Sequence, residues 1–399
     1  MKILFVTQNF YPELGSAANR IGAIFKLLKK NNYDAYVLTT NPTYPYENLF
    51  ENNDYYNDYQ LNELEKSKIY RIDTKIKKQG KFFKRILYFI EEFFRVRLFF
   101  SMHKNKYDYI YVTSPNIFMA WSTLFFKKKN TKYVLEIRDL WPDSANQIKG
   151  LNISVIMPIL KFLESRMYNS ADKIIINNLY FENHIQQRLK KEVPILYLPN
   201  AIQITEKIDI IKNNEFSVIY TGNIGHAQDV NQLIEVAKKL NENKIQFNVI
   251  IYGVHSSKFK SEVNHLEYIH VKDPLPRKEC LQEISKAHVA LSLLKNSEIF
   301  MNVLPGKIID SISMGTIPIT NLTGFTKRII KNNKLGIAEK NITVENIMEN
   351  IMELKNNYEL RNKMIINAIN YRNQNLIWED NIKKLDELLL KDETFEQRL

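Results

Sequence analysis

Two parts of this sequence group residue types suited to handling a charged, activated substrate. The first is Glu136-Ile137-Arg138-Asp139-Leu140-Trp141-Pro142-Asp143, which ends the apolar run beginning at Tyr133. Charged groups at the carboxyl end of a buried strand are costly to desolvate unless they are paired or used. The segment therefore reads as a cleft wall; the plainer alternative is a salt bridge from Arg138 to Glu136 or Asp139 that pins a turn. The second part holds Tyr220-Thr221-Gly222-Asn223-Ile224-Gly225-His226 through Asp229, and Val303-Leu304-Pro305-Gly306-Lys307-Ile308-Ile309-Asp310. Gly222 and Gly225 allow backbone amides to close on a phosphate. In one helix, Lys307 and Asp310 share a face at i,i+3 spacing. A lysine there neutralises a diphosphate while the carboxylate takes a ribose diol; the bland reading is an exposed ion pair of little worth. A third loop, Gln8 to Arg20, brings Pro12, Glu13, Gly15 and a run of small residues into a helix start, where a phosphate can approach backbone N–H groups. It lacks G-x-G-x-x-G, which argues against a dinucleotide dehydrogenase.

Strand-like runs alternating with helical patterns must position these groups. Lys2 to Thr7 is a strand, Ile21 to Leu28 has helical spacing, and Ala35 to Thr40 is a strand again. Repetition of this βαβ unit implies a parallel sheet. Further strands are expected at 69–72, 109–113, 133–137, 173–176 and 195–198. After a polar linker running to Glu215 the pattern restarts, with strands at 216–220, 247–252, 266–269, 289–293 and 317–320. Two consecutive doubly wound domains follow from this, at 1–198 and 199–375, with a closing helical segment at 376–399 that is expected to cross back to the first domain.

Composition narrows the function. In a chain of 399 residues, 45% are hydrophobic and 25% charged, which excludes disorder for the bulk of it. Cys280 is the lone cysteine, so no intramolecular disulfide forms. Met1 to Val6 is too short for a secretory h-region and reads as a buried strand. No window reaches the ~18 apolar residues of a transmembrane helix. The net charge of +12 calls for nucleic acid, an anionic membrane or anionic small molecules as partner, or reflects a Lys- and Asn-rich background. Between Lys75 and Lys106 ten basic residues face two acidic ones, Glu91 and Glu92, among many Phe, Ile and Leu residues. A basic, aromatic, amphipathic helix suits an anionic bilayer surface. Packing of Phe89, Phe93 and Phe100 on the sheet is the alternative.

Taken in order, these segments resemble glycosyltransferase family 4, of GT-B fold, and within it bacterial enzymes of capsule, O-antigen and colanic-acid-type polysaccharide assembly. The residues that carry the likeness are Glu136, Arg138, Asp139, Trp141 and Pro142; Gly222, Asn223, Gly225, Gln228 and Asp229; Pro305, Gly306, Lys307, Ile309 and Asp310; and Pro12, Glu13, Gly15 and Arg20. The likeness runs from Met1 to about Trp378. Two departures stand out. The first acid of the family's E-x7-E pair falls on Asn302, and the second on Asp310, a shorter carboxylate. Arg138 stands where many members have His, and His226 sits in the second-domain loop.

The resemblance implies two Rossmann-like domains facing a central cleft, and transfer with retention from a nucleotide diphosphate sugar, expected to be a UDP-N-acetylhexosamine or deoxy relative. Gly15, Gly222, Asn223, Gly225, Pro305, Lys307 and Asp310 are the expected donor contacts. Arg138, Trp141 and Arg20 are expected on the acceptor side. Lys307 is expected to stabilise the leaving diphosphate, and Asp139 or Glu136 to position the acceptor hydroxyl; the sequence leaves that choice open. Without a D-x-D signature no metal and no other cofactor is expected. The implied acceptor is a polyprenyl-linked glycan, and the implied location is the cytoplasmic face of the cell membrane, held peripherally. A non-hydrolysing nucleotide-sugar epimerase and an inactive glycan-binding scaffold are the alternatives; a nucleic-acid partner is not expected, since no such module is present.

Overall fold

The computed structural model describes residues 1–76, 82–103, 105–143, 154–296 and 301–390. The chain divides into two compact units, Met1–Pro199 with Ile382–Leu399, and Asn200–Asn381.

The first unit is built on a seven-stranded parallel sheet. In chain order its strands are β1 (Lys2–Val6), β2 (Asp34–Thr40), β3 (Ile69–Ile72), β4 (Tyr109–Thr113), β5 (Lys132–Ile137), β6 (Lys173–Ile176) and β7 (Ile195–Tyr197). Their order in the sheet is β3-β2-β1-β4-β5-β6-β7. The central strands are apolar runs because both faces are covered by helices: Ile3, Leu4, Phe5 and Val6 are buried, as are Ile110, Tyr111 and Val112. Helix Ser16–Lys30 covers one face, with Ile21, Ile24, Phe25 and Leu28 turned inward. The final helix, Trp378–Leu390, closes on this unit through its last turns: Leu385 and Leu389 are buried. There Tyr109 Oη donates to Leu389 O at 2.7 Å, and Tyr33 Oη donates to the Asp386 carboxylate.

The second unit carries β8 (Ser217–Asn223), β9 (Gln246–Tyr252), β10 (Ile269–Lys272), β11 (Val289–Ser292), β12 (Ile317–Thr320) and β13 (Ile337–Ala338), all parallel, in the order β10-β9-β8-β11-β12-β13. One strand lies further along than its apolar run suggests. Leu266 sits in a turn, its N–H bonded to Val263 O, and pairing with β9 begins only at Ile269 opposite Phe247. β13 is two residues long, too short to leave a pattern in sequence.

Both sheets reverse strand order once in the middle, between β1 and β4 and between β8 and β11. In open parallel sheets the crevice outside the carboxyl ends at such a reversal takes the ligand. The loop from Gln8 to Gly15 leaves β1 at the first reversal, and the loop from Ile224 to Asp229 leaves β8 at the second.

Candidate active site

In the second unit, β8 runs through Gly222 and Asn223, which pair with Ile251 and Tyr252 of β9. Gly222 has φ +101, a conformation that disfavours any residue with a Cβ. The position such a Cβ would occupy is 4.0 Å from Lys307 Cε, so the glycine and the lysine are neighbours. Gly225 N–H donates to Gln228 Oε1 at 2.7 Å, and the Asp229 carboxylate caps helix Val230–Glu242 by accepting from Gln232 N. The loop is thus closed on itself by the polar residues that the sequence pattern singled out.

Helix Gly306–Ser313 starts after Pro305, its N-cap, and buries Ile308, Ile309 and Ile312. That leaves Lys307 and Asp310 on the other side, each partly open. Lys307 Nζ donates to Tyr220 Oη at 2.8 Å and lies 4.0 Å from the centre of that ring. Tyr220 Oη in turn donates to Asn223 O at 3.1 Å. Among the described residues no carboxylate lies within ion-pair distance of Lys307. Burial pushes its ammonium down to about 7 and raises the Tyr220 phenol. A lysine held this way is a cation short of an anion.

Asp310 is engaged: Arg277 Nη1 and Nη2 donate to its two oxygens at 2.7 and 2.8 Å. Sequence spacing gave no sign of Arg277, which lies 33 positions away. Nor did it mark Tyr220 as the partner of Lys307. Asn302, at the first E-x7-E position, packs its side-chain amide against Gly324, where a Cβ would collide with it. His226 is exposed, its ring edge-on to His255 at 5.6 Å.

The first unit disposes its candidates differently. Gly15 is the N-cap of helix Ser16–Lys30 with φ +116. Arg20 and Glu136, expected at the acceptor surface, are instead buried at 2% and 0% exposure. Arg20 Nε donates to Glu136 Oε1 at 2.7 Å, and Tyr111 Oη donates to the same oxygen at 2.7 Å. The reason is the direction of the Glu136 side chain, which meets the inner face of the Ser16–Lys30 helix. Burial, with the adjacent Glu136 charge, holds the Tyr111 phenol well above its usual range. The sequence alternative of an Arg138–Glu136 bridge is not what forms. Arg138 Nε donates to Ser114 O at 3.0 Å, and burial lowers its pKa. Asp139 is partly open at the end of β5. Trp141 packs on the first core, edge-on to Trp121 with ring centres 5.8 Å apart.

No helix among the described residues is long and apolar enough to cross a membrane. Among the same residues no group of three His, Cys, Asp or Glu side chains is arranged to hold a metal ion.

Residues 202–371 match the family described as Glycosyl transferases group 1. The colanic acid biosynthesis glycosyl transferase WcaI of Escherichia coli (strain K12) is 23% identical over 350 residues, covering 82% of this chain and 84% of that protein. Among solved structures, sucrose-phosphate synthase of Thermosynechococcus elongatus is similar over the whole of both chains, with TM-score 0.76 and 11% identity. HepE of Anabaena, solved in complex with UDP and glucose, has TM-score 0.68 and 11% identity, with 98% of this chain and 100% of that chain covered.

Proposed function

We propose that this chain, whose residues 202–371 match the group 1 glycosyltransferases and whose two units have the GT-B fold, is a family 4 glycosyltransferase that uses a nucleotide-sugar donor to extend a lipid-linked glycan of a surface polysaccharide. The donor in this reading is a UDP-N-acetylhexosamine or a deoxy relative. HepE binds UDP, and WcaI is named for colanic acid synthesis; both support the reading.

The observation that carries it is the unpaired Lys307 ammonium set against Gly222 at the carboxyl end of β8. Transfer breaks the bond between the sugar's anomeric carbon and the diphosphate oxygen, so negative charge grows on the diphosphate. Lys307 and the amino end of the Gly306–Ser313 helix supply positive potential there before the bond breaks. That is the reason to expect turnover without a metal ion. Asp310 reads the ribose. The nucleoside diphosphate leaves, the anomeric carbon bonds to the acceptor hydroxyl oxygen with retention of configuration, and Asp139 positions that hydroxyl. Glu136 holds Arg20 and so sets the inner geometry of the β5 end. Arg138 lies beside Asp139 on the acceptor side.

Peripheral attachment to an anionic membrane face belongs to the same reading. In helix Phe82–Met102, Leu87, Ile90, Phe94, Leu98 and Met102 are exposed at spacings of three or four residues, one stripe along the helix. Tyr88, Val96, Phe99 and Phe100 are buried on its other side, so the segment both packs and presents an apolar face. Phe126 and Lys127 to Lys129 are exposed after helix Ile117–Leu124, which packs on Phe82–Met102. Lys77, Lys78, Lys81 and Lys104 lie outside the described residues.

Mass spectrometry of lipid-linked intermediates in a deletion strain tests the proposal. A glycan truncated by one N-acetylhexosamine or deoxyhexosamine should accumulate. An unchanged lipid-linked pool would overturn it.

A further inference from the structure

Arg277 begins helix Arg277–Lys286, directly after Pro276. Its guanidinium joins two acids from two other segments. Both terminal nitrogens fork onto the Asp310 carboxylate at 2.7 and 2.8 Å, and Nε lies 3.1 Å from Glu206 Oε1. The other Glu206 oxygen accepts from Gln203 N at 2.9 Å. A fork-on-fork pair fixes the plane of a carboxylate as a single hydrogen bond does not. The cluster is not sealed: side-chain exposure is 23% for Arg277, 21% for Asp310 and 17% for Glu206.

An ionised carboxylate offers about four lone-pair positions, and the Arg277 fork uses two of them. Two remain, one on each oxygen. One cation against two acids leaves this cluster with a local charge of −1 (+1 − 2), which repels phosphate and suits hydroxyl donors. Lys307, with no acid partner among the described residues, stands one helical turn away, about 4.5 Å along the axis. The two ends of this helix face thus differ in sign. Aspartate is one methylene shorter than glutamate, so a contact made by Asp310 has little slack.

We propose that Arg277 is a positioning residue for the donor nucleotide, holding the Asp310 carboxylate so that its free lone pairs accept the vicinal hydroxyls of the ribose. The inference rests on the donor reading above and adds the residue that makes that contact sugar-specific.

Calorimetric titration of the full chain with UDP and with 2′-deoxy-UDP tests it, for the wild type, Arg277→Lys and Asp310→Asn. Lysine keeps the charge but not the fork. The wild type should prefer UDP by roughly tenfold or more, since a site built for a hydroxyl rejects the analogue lacking it. Both variants should bind the two nucleotides within about threefold of each other. In turnover, Arg277→Lys should raise the donor KM and leave kcat near the wild-type value. A folded Arg277→Lys protein that keeps the full preference would overturn the inference and leave the donor reading intact. A wild type that binds UDP without preference would overturn it as well. A wild type that binds neither nucleotide would overturn the donor reading, and this inference with it.

Discussion

Lys307 Nζ sits 2.8 Å from the Tyr220 hydroxyl and 4.0 Å from the centre of its ring, with Gly222 alongside. A phenol and a π-face solvate an ammonium without neutralising it. Below a pH of about 7 Lys307 therefore carries a charge that no acid among the described residues balances.

Charge on Lys307 should make nucleotide binding pH-dependent. Its ammonium titrates near 7 in the free protein, so it is charged below that pH and neutral above it. UDP affinity should fall as pH rises through about 7, and binding above 7 should take up a proton. Calorimetry in buffers of different ionisation enthalpy measures the uptake. Lys307→Ala should show neither effect on this limb; an unchanged pH profile in that variant would contradict the assignment.

The Arg20–Glu136 pair should matter for stability before it matters for chemistry. Removing one partner of a buried ion pair leaves the other uncompensated, at a cost of about 3–5 kcal/mol. Glu136→Gln and Arg20→Met should each lower the urea midpoint markedly. Loss of transfer at full stability in Glu136→Gln would return this carboxylate to a direct role.

Asp139 should behave in the opposite way. Asp139→Asn is expected to keep its melting temperature and its UDP affinity, while transfer to the acceptor falls by roughly 10²-fold or more. Wild-type transfer in a folded variant would remove it from the acceptor site.

The exposed stripe of helix Phe82–Met102 should bind anionic vesicles. Each basic group near such a surface adds about 1 kcal/mol, lost within a Debye length. Sedimentation with vesicles should rise with anionic lipid and fall at high salt, and Phe94→Ser with Leu98→Ser should weaken it. Equal recovery with neutral and anionic vesicles would contradict the electrostatic part.

Much of the fold was legible because buried parallel strands are continuous apolar runs; Lys2–Val6 and Ser217–Tyr220 could hardly be anything else. The Lys307–Asp310 face was legible too, since three-residue spacing on a helix is local geometry. Partners across the fold were not. Arg277 with Asp310, Tyr220 with Lys307 and Arg20 with Glu136 lie 33, 87 and 116 positions apart. Spacing says nothing about such pairs. Glu136, Arg138 and Asp139 illustrate the limit: close in sequence and all charged, they divide between a buried counter-ion, a backbone contact at Ser114 and a half-buried acid. Only the direction of each side chain at the end of β5 separates them.

The measurement that bears most directly on the chemistry is sugar transfer by the purified chain, followed as UDP release. The reaction would contain a UDP-N-acetylhexosamine, a polyprenyl-diphosphate glycan and EDTA. Wild-type protein should release UDP and give a product of retained anomeric configuration, and Lys307→Ala should lose about 2–4 kcal/mol of transition-state stabilisation. Wild-type rates in folded Lys307→Ala, or activity that EDTA abolishes and Mn²⁺ or Mg²⁺ restores, would contradict a leaving group stabilised by this lysine without a metal.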